Sequence, residues 1–322
     1  MRNGQKAEPG RPPEGGSLAK SLAARGVRSR TRLGRQTGSG LLFLAPFILA
    51  FAIFTLWPNI NSLFLSFEEY QGYGNATWIG WDNYVALLSY SSFWSMFANT
   101  IEYWLIHAAI LVPISFLLAV LVSSKGIRGR KVWQAMIFLP QVMSIVAVTL
   151  VFQVLFSVQN GVVNQILGIH VPWLTNLGIA KWVVILMLVW QGLGFWFVVF
   201  VAGLSSIDPE INEAALVDGA GVVKRLVWIT IPLMRNIIMF AVVIDAIHSM
   251  ALYTQPNVLL GSGGAGAPIQ VAPLSNLIVS NLLSGSYGQS AAAGWMLFIL
   301  TIAVSTLIFG VSRLIKGGKV DD

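Results

Sequence analysis

The chain has 322 residues, of which 56% are hydrophobic and only 10% charged, and its mean hydropathy is +0.73. Soluble domains carry about a quarter of charged residues, so a soluble enzyme or binding module is excluded and an integral membrane protein is indicated. The net charge of +7 does not point to nucleic acid as a partner: residues 1–38 hold nine Lys or Arg against Glu8 and Glu14, an excess equal to the whole net charge. The absence of cysteine excludes disulfides and thiolate metal sites.

Residues 1–38 are rich in Arg, Gly, Pro and Ser without apolar periodicity, which predicts a disordered basic cytoplasmic tail ahead of a membrane domain over 39–322. A signal peptide is the competing reading. The apolar run from Leu41 is too long for one, and no small-residue cleavage site follows it. Six apolar segments of bilayer length come next, at about 41–65, 97–122, 132–156, 181–204, 232–253 and 291–315. Lys125, Arg128, Arg130 and Lys131 lie between the second and third, Lys224 and Arg225 between the fourth and fifth, and Arg313, Lys316 and Lys319 at the end. The alternate loops, 66–96, 157–180 and 254–290, contain no Lys or Arg. The positive-inside rule therefore predicts a multi-pass protein of the cell membrane, surrounded by lipid, with both termini and the 205–231 loop in the cytoplasm. Trp78, Trp81, Tyr84, Trp173 and Tyr287 in the outer loops suit interfacial anchoring.

The most charged loop begins at Asp208, a plausible N-cap, followed by Pro209 at the first helical position, where its missing N–H costs nothing. The spacing predicts a short helix with Ile211, Ala214, Ala215 and Asp218 on one face. Gly219 and Gly221 are expected to end it in the left-handed conformation open to glycine. A second amphipathic piece, Val222 to Trp228, is expected to lead to Pro232, which opens the next apolar segment.

Glu213-Ala214-Ala215, Asp218-Gly219-Ala220 and Ile229, Ile231 and Pro232 resemble the EAA loop of ABC-importer permeases. Leu226 stands where an aromatic is usual, Ile231 replaces a leucine and Asn236 a proline, while the glycine and acidic positions are intact. Further segments resemble the maltose-type, binding-protein-dependent carbohydrate permeases. They are Trp78-Ile79-Gly80-Trp81-Asp82-Asn83-Tyr84, Arg128-Gly129-Arg130 through Phe138-Leu139-Pro140, Gly161-Val162-Val163-Asn164, Trp190-Gln191-Gly192-Leu193-Gly194-Phe195, Ala202-Gly203-Leu204 and Ile207-Asp208-Pro209. The family's Thr-Gly-Gly-Gly-Pro after the fifth span is echoed only loosely by Gly261 to Gly266.

The resemblance implies an all-α, six-helix type I importer permease fold with cytoplasmic coupling helices. It implies that Glu213, Ala214, Ala215, Asp218, Gly219, Ala220 and Pro232 meet ATPase subunits. The implied partners are a homologous second permease, two ABC ATPases that bind the ATP and Mg, and an extracytoplasmic solute-binding protein. The implied cargo is a mono- or oligosaccharide, with a polyol or glycerol-phosphate-like solute as the alternative. The chain itself would hold no cofactor and catalyse no reaction.

Gly261, Gly263 and Gly266 match G-x-G-x-x-G, but Pro268 and an uncharged loop follow instead of a helix and an acidic residue, so a dinucleotide site is disfavoured. No G-x-x-x-x-G-K-[ST] occurs, so ATP must bind another chain if it drives this one. Asn75-Ala76-Thr77 fits a glycosylation sequon, a triplet common by chance. Ionisable groups within the spans are few: Glu102 and His107 in the second, Asp245 and His248, three apart and so on one face, in the fifth. Two readings stay open, a translocation path through Glu102, Asp245 and His248, or a polar contact with the partner permease. Trp190 is the member of the cluster with Phe195, Trp196, Phe197 and Phe200 best suited to stack a sugar ring. Three separated histidines without cysteine make a metal site improbable. An ion-coupled secondary transporter and a non-transporting scaffold are the rival functions, and neither accounts for the EAA pattern.

Overall fold

The long apolar runs become helices because hydrocarbon offers no hydrogen-bond partners, so every backbone N–H and C=O must be satisfied within the segment. In the computed structural model, which describes residues 43–124, 126–261 and 266–317, five helices are long and apolar enough to cross a membrane. They are α1 (Phe43–Leu65), α3 (Ser91–Ser123), α7 (Leu177–Ser205), α9 (Val222–Met250) and α12 (Tyr287–Gly317). The expected tail at 1–38 lies outside the described residues, as does Gly263 of the glycine run.

Two compact units meet between Ser62 and Leu63. The first contributes α1 up to Ser62, a helix with no buried residue among those described, on which Phe47 and Phe51 stack at 6.4 Å.

The second unit carries the core. Here α3 and α7 pack along their length around Tyr103, Leu111, Phe116, Met187, Phe197 and Phe200, with Phe116 and Phe200 edge to face at 5.5 Å. Two glycines of α7 set the approach of neighbouring helices. A Cβ at Gly194 would lie 2.8 Å from the Ile137 carbonyl oxygen and from Phe138 Cα, and one at Gly203 would meet Met234 and Ile237 of α9.

Three expectations are corrected. The segment 132–156 is not one straight helix but a bent pair, α4 (Arg130–Phe138) with a 3₁₀ extension to Val142, then α5 (Ile145–Leu155), meeting at 96°. Pro140 sits in the 3₁₀ turn, and Met143 and Ser144 are extended, so no helical hydrogen bonds run across the junction. With this pair counted as one span, the described residues hold six segments long and apolar enough to cross, the number expected. Secondly, Pro232 does not open the fifth helix. α9 already begins at Val222, and a π turn at Leu226–Thr230 carries it to the proline, with Ile231 N–H donating to Leu226 O. The same device appears in α1, where a π turn at Ala52–Leu56 precedes Pro58 and Trp57 N–H donates to Ala52 O. Proline lacks an N–H and its ring clashes with the carbonyl four residues back; the widened turn absorbs both without ending the helix. Thirdly, Gly221 is not left-handed: at φ −63° and ψ 165° it is the extended N-cap of α9.

The segments expected to lie outside are structured. A two-residue hairpin pairs Glu68 with Trp78 and Glu69 with Thr77 (β1, Glu68–Glu69; β2, Thr77–Trp78), and α2 (Asp82–Ser89) follows. Asn83 donates to the carbonyls of Ser66 and Glu68, and the Tyr84 hydroxyl pairs with Ser66 Oγ at 2.7 Å, which explains the Asn-Tyr of that motif. Within α6 (Val162–Leu167), Asn164 donates to Val158 and Val171 O and accepts from Trp173 Nε1 at 2.6 Å. Beyond α10 (Thr254–Leu260), residues 269–274 are tied to α3: Asn99 donates to Ile269 and Ala272 O, Tyr103 to Val271 O, and Leu274 N to Thr100 Oγ1. α11 (Ser275–Leu283) then leads into α12.

Candidate functional site

Two places combine polar chemistry with architecture: the loop between α7 and α9, and a cavity among α3, α7 and α9. In the loop, Asp208 Oδ1 accepts from Glu210 N at 3.0 Å and Pro209 starts helix α8 (Pro209–Val217). The cap satisfies one of the otherwise orphan N–H groups of the first turn. α8 ends in a Schellman turn: Ala220 N donates to Ala215 O at 2.9 Å and Gly219 N to Leu216 O at 3.1 Å. Gly219 occupies the left-handed position at φ +71°, and open space surrounds the position of a Cβ there.

Of the predicted face, Ala215 is buried against the body of the protein, whereas Ile211, Ala214 and Asp218 are exposed. Ala220 is half-buried and Pro232 exposed. Glu213 lines a cavity of about 570 Å³ together with Asn212, Ser123, Arg130, Arg225 and Thr230. Leu216, Val217, Val222, Val223 and Trp228 are exposed around the turn, so the charged loop presents apolar side chains at its tip.

The larger cavity has a volume of about 690 Å³. The 96° break supplies one wall, from Gln141 to Ile145, and Gln191 Nε2 comes within 3.5 Å of the Met143 carbonyl that the break leaves out of helical pairing. α7 contributes Gln191, Gly192, Phe195 and Trp196, and Tyr253 closes one end.

The ionisable residues singled out from the sequence separate here. Asp245 and His248 both line the cavity, but Asp245, 2% exposed, pairs with His107 of α3, not with its helix neighbour. His107 Nδ1 lies 3.2 Å from Asp245 Oδ1 and 3.3 Å from Oδ2, while His248 is exposed. Glu102 lies outside the lining and accepts from Lys181 Nζ of α7. Trp190 also lies outside it, tilted against Phe152 at 5.7 Å, whereas Phe195 and Trp196 do line it and Phe197 and Phe200 belong to the core. The lining residues Gln141, Ser249 and Tyr253 were not singled out from the sequence, and Gln191 and Gly192 entered only as part of a family motif, without a role in the path. Uncharged polar side chains in apolar helices carry little signal until the helices are placed. Among the described residues no group of His, Asp and Glu is arranged to hold a metal.

Long apolar helices around a polar cavity, with a capped amphipathic helix in the charged loop, define a membrane transport subunit. The chain belongs to the family of binding-protein-dependent transport system inner membrane components, which matches residues 111–317. It is thus a transport component, not an enzyme, and the family sets aside the ion-coupled and scaffold alternatives. The chain is 28% identical over 281 residues to the arabinooligosaccharides transport system permease protein AraP of Bacillus subtilis, covering 86% of this chain and 89% of that one. It is 30% identical over 296 residues to the lactose transport system permease protein LacF of Rhizobium radiobacter, covering 88% and 98%. Its fold is similar to a chain of a bacterial ABC transporter involved in the import of the acidic polysaccharide alginate. There the TM-score is 0.76 at 27% identity, with 88% and 99% of the two chains covered.

Proposed function

We propose that this chain is one of two homologous permease subunits of an ATP-driven importer that moves a carbohydrate handed over by an extracytoplasmic binding protein. The observation that carries the cargo class is the lining of the 690 Å³ cavity. Amides, hydroxyls and two aromatic faces suit a neutral polyhydroxy compound, and the volume lies within the range of about 300–1,000 Å³ usual for small-molecule sites. The named cargoes of the relatives, lactose and arabinooligosaccharides, support the same class.

The loop supports the coupling assignment. Two cytoplasmic ATPases, binding the ATP and Mg, would close on each other and push on α8. Glu213, Ala214 and Ala215 lie on that helix, Asp218 is its C-cap, Gly219 and Ala220 form its turn, and Pro232 lies where α9 resumes after its π turn. The force would reach the cavity through α9, which runs from that turn to Asp245 and His248. The distribution of Lys and Arg supports a cytoplasmic position for this loop and for both termini, with residues 1–38 as a basic tail on that side.

The test is uptake into proteoliposomes containing the complete transporter and its binding protein. Radiolabelled lactose, arabinooligosaccharide, maltose and alginate oligosaccharide are offered beside glycerol 3-phosphate. Vanadate-sensitive uptake of a carbohydrate is expected. Uptake of glycerol 3-phosphate alone would move the cargo to the alternative class.

A further inference from the structure

The smaller cavity, beside α8, holds an excess of positive charge. Arg130 begins α4, Arg225 lies in the first turn of α9, and both line it. Among the described residues neither guanidinium is paired with a carboxylate, and Arg130 donates to the neutral Ser123 Oγ at 3.3 Å. Arg225 is half-buried, and its Nε is shielded from solvent without an acceptor, so its charge is partly desolvated and uncompensated. Such a charge is costly unless a counter-charge joins it. Glu213 lines the same cavity, which leaves two positive charges against one.

The walls decide which kind of anion fits. Val120 and Leu204 belong to the last turns of α3 and α7, which stop at Ser123 and Ser205. The apolar part of the lining is therefore the end of membrane-crossing helices. The polar part, Ser123, Ser124 and the two arginines, begins where those helices stop. At about 570 Å³ the cavity also has far more room than an inorganic phosphate fills.

We infer that this cavity holds the headgroup of an anionic phospholipid, with its phosphate between Arg130 and Arg225 and its glycerol carbons against Val120 and Leu204. Basic pockets between membrane helices on the cytoplasmic side take such headgroups, and a guanidinium matches phosphate oxygens with paired N–H donors. A phosphodiester carries one negative charge, equal to the excess in the lining. A zwitterionic lipid brings its own cation and gains less. The reading of this loop as cytoplasmic, on which the inference rests, decides only which leaflet supplies the lipid.

The test is retention of ³²P-labelled phosphatidylglycerol by the complete transporter in neutral-detergent micelles, titrated against phosphatidylcholine. Micelles have no sidedness, so failure here is failure of the site, whereas a misplaced loop would show in surface labelling alone. Wild type is expected to keep phosphatidylglycerol in preference to phosphatidylcholine. The half-saturating fraction should rise roughly fivefold in Arg130→Gln and in Arg225→Gln, the size expected for one basic residue against an anionic lipid. Arg225→Lys keeps the charge and should lose less; an equal loss there would mean packing and overturn the role of Arg225. Arg128→Gln removes a charge from the same loop but not from the lining, and should stay within about twofold of wild type. An equal loss in Arg128→Gln would mean diffuse attraction to the loop and overturn the site, as would wild-type retention in Arg130→Gln and Arg225→Gln. Displacement of the lipid by millimolar inorganic phosphate would overturn the lipid as the source of the anion. Normal lipid retention, with the ATPase subunits lost from the purified complex in Arg130→Gln and Arg225→Gln, would give the arginines to an acidic surface of the partner and overturn the proposal.

Discussion

Gly219 is constrained by its backbone conformation and not by its neighbours. Nothing lies near the position of its missing Cβ, so any substitution there meets only the backbone, held at φ +71°. An L-residue in that conformation is strained by roughly 1–2 kcal/mol, more for a β-branched side chain and less for asparagine. Ligand-stimulated ATP hydrolysis should therefore fall in the order Gly219→Asn, Gly219→Ala, Gly219→Val, with all three proteins reaching the membrane at wild-type levels. Full stimulated hydrolysis and uptake in Gly219→Val would remove this turn from the coupling path. Asn164 is the opposite case, since it works through contacts alone. Its amide donates to two carbonyls and accepts from the Trp173 indole and, at 3.4 Å, from Val171 N. Asn164→Asp keeps the shape and loses both donors. The variant should be less stable by about 1–3 kcal/mol, the cost of leaving buried acceptors facing a carboxylate. A lowered thermal midpoint of the purified complex, with ATP hydrolysis per folded transporter unchanged, is the expected result.

At the scale of elements, the break between α4 and α5 and the π turn in α9 are two answers to one chemical fact. Pro140 lies where the chain turns through 96°, and Pro232 lies where the helix continues through a widened turn. The difference is tertiary. α4 and its 3₁₀ extension pack on α7 at Gly194, whose missing side chain lets the Ile137 carbonyl and Phe138 Cα approach, and α5 then leaves in a new direction. Gly194→Val should force that contact open, because the obstructing atoms are backbone and cannot rotate away. Overpacking of this kind costs about 1–3 kcal/mol. Since the break forms a cavity wall, cargo uptake should fall more than basal ATP hydrolysis does. Equal losses in both would mean that the break acts only on stability.

For the whole molecule, the direction of transport depends on which side holds α8. The chain contains no cysteine, so single cysteines can report the two sides without background. Ala76→Cys, exposed beside the hairpin, should react with a membrane-impermeant maleimide in intact cells. Val217→Cys, 89% exposed at the end of α8, should react only after permeabilisation. The reverse pattern would invert the topology and the coupling assignment with it. The membrane class, the approximate crossings and the capped loop were legible in the residues alone, because each depends on near neighbours. Twenty apolar residues need a bilayer wherever they pack, and Asp208, Pro209 and Gly219 act within one or two turns of α8. The pairings were not legible. His107 meets Asp245 across 138 positions and Glu102 meets Lys181 across 79, and in the sequence Asp245 stood closer to His248. An apolar run also reports length but not direction, so the bend in the third crossing and the unbroken start of α9 stayed hidden. Local chemistry determined what this chain is. Only the packing of α3, α7 and α9 decided which polar groups share a cavity, because that depends on the faces helices turn toward one another and on the glycines that let them approach.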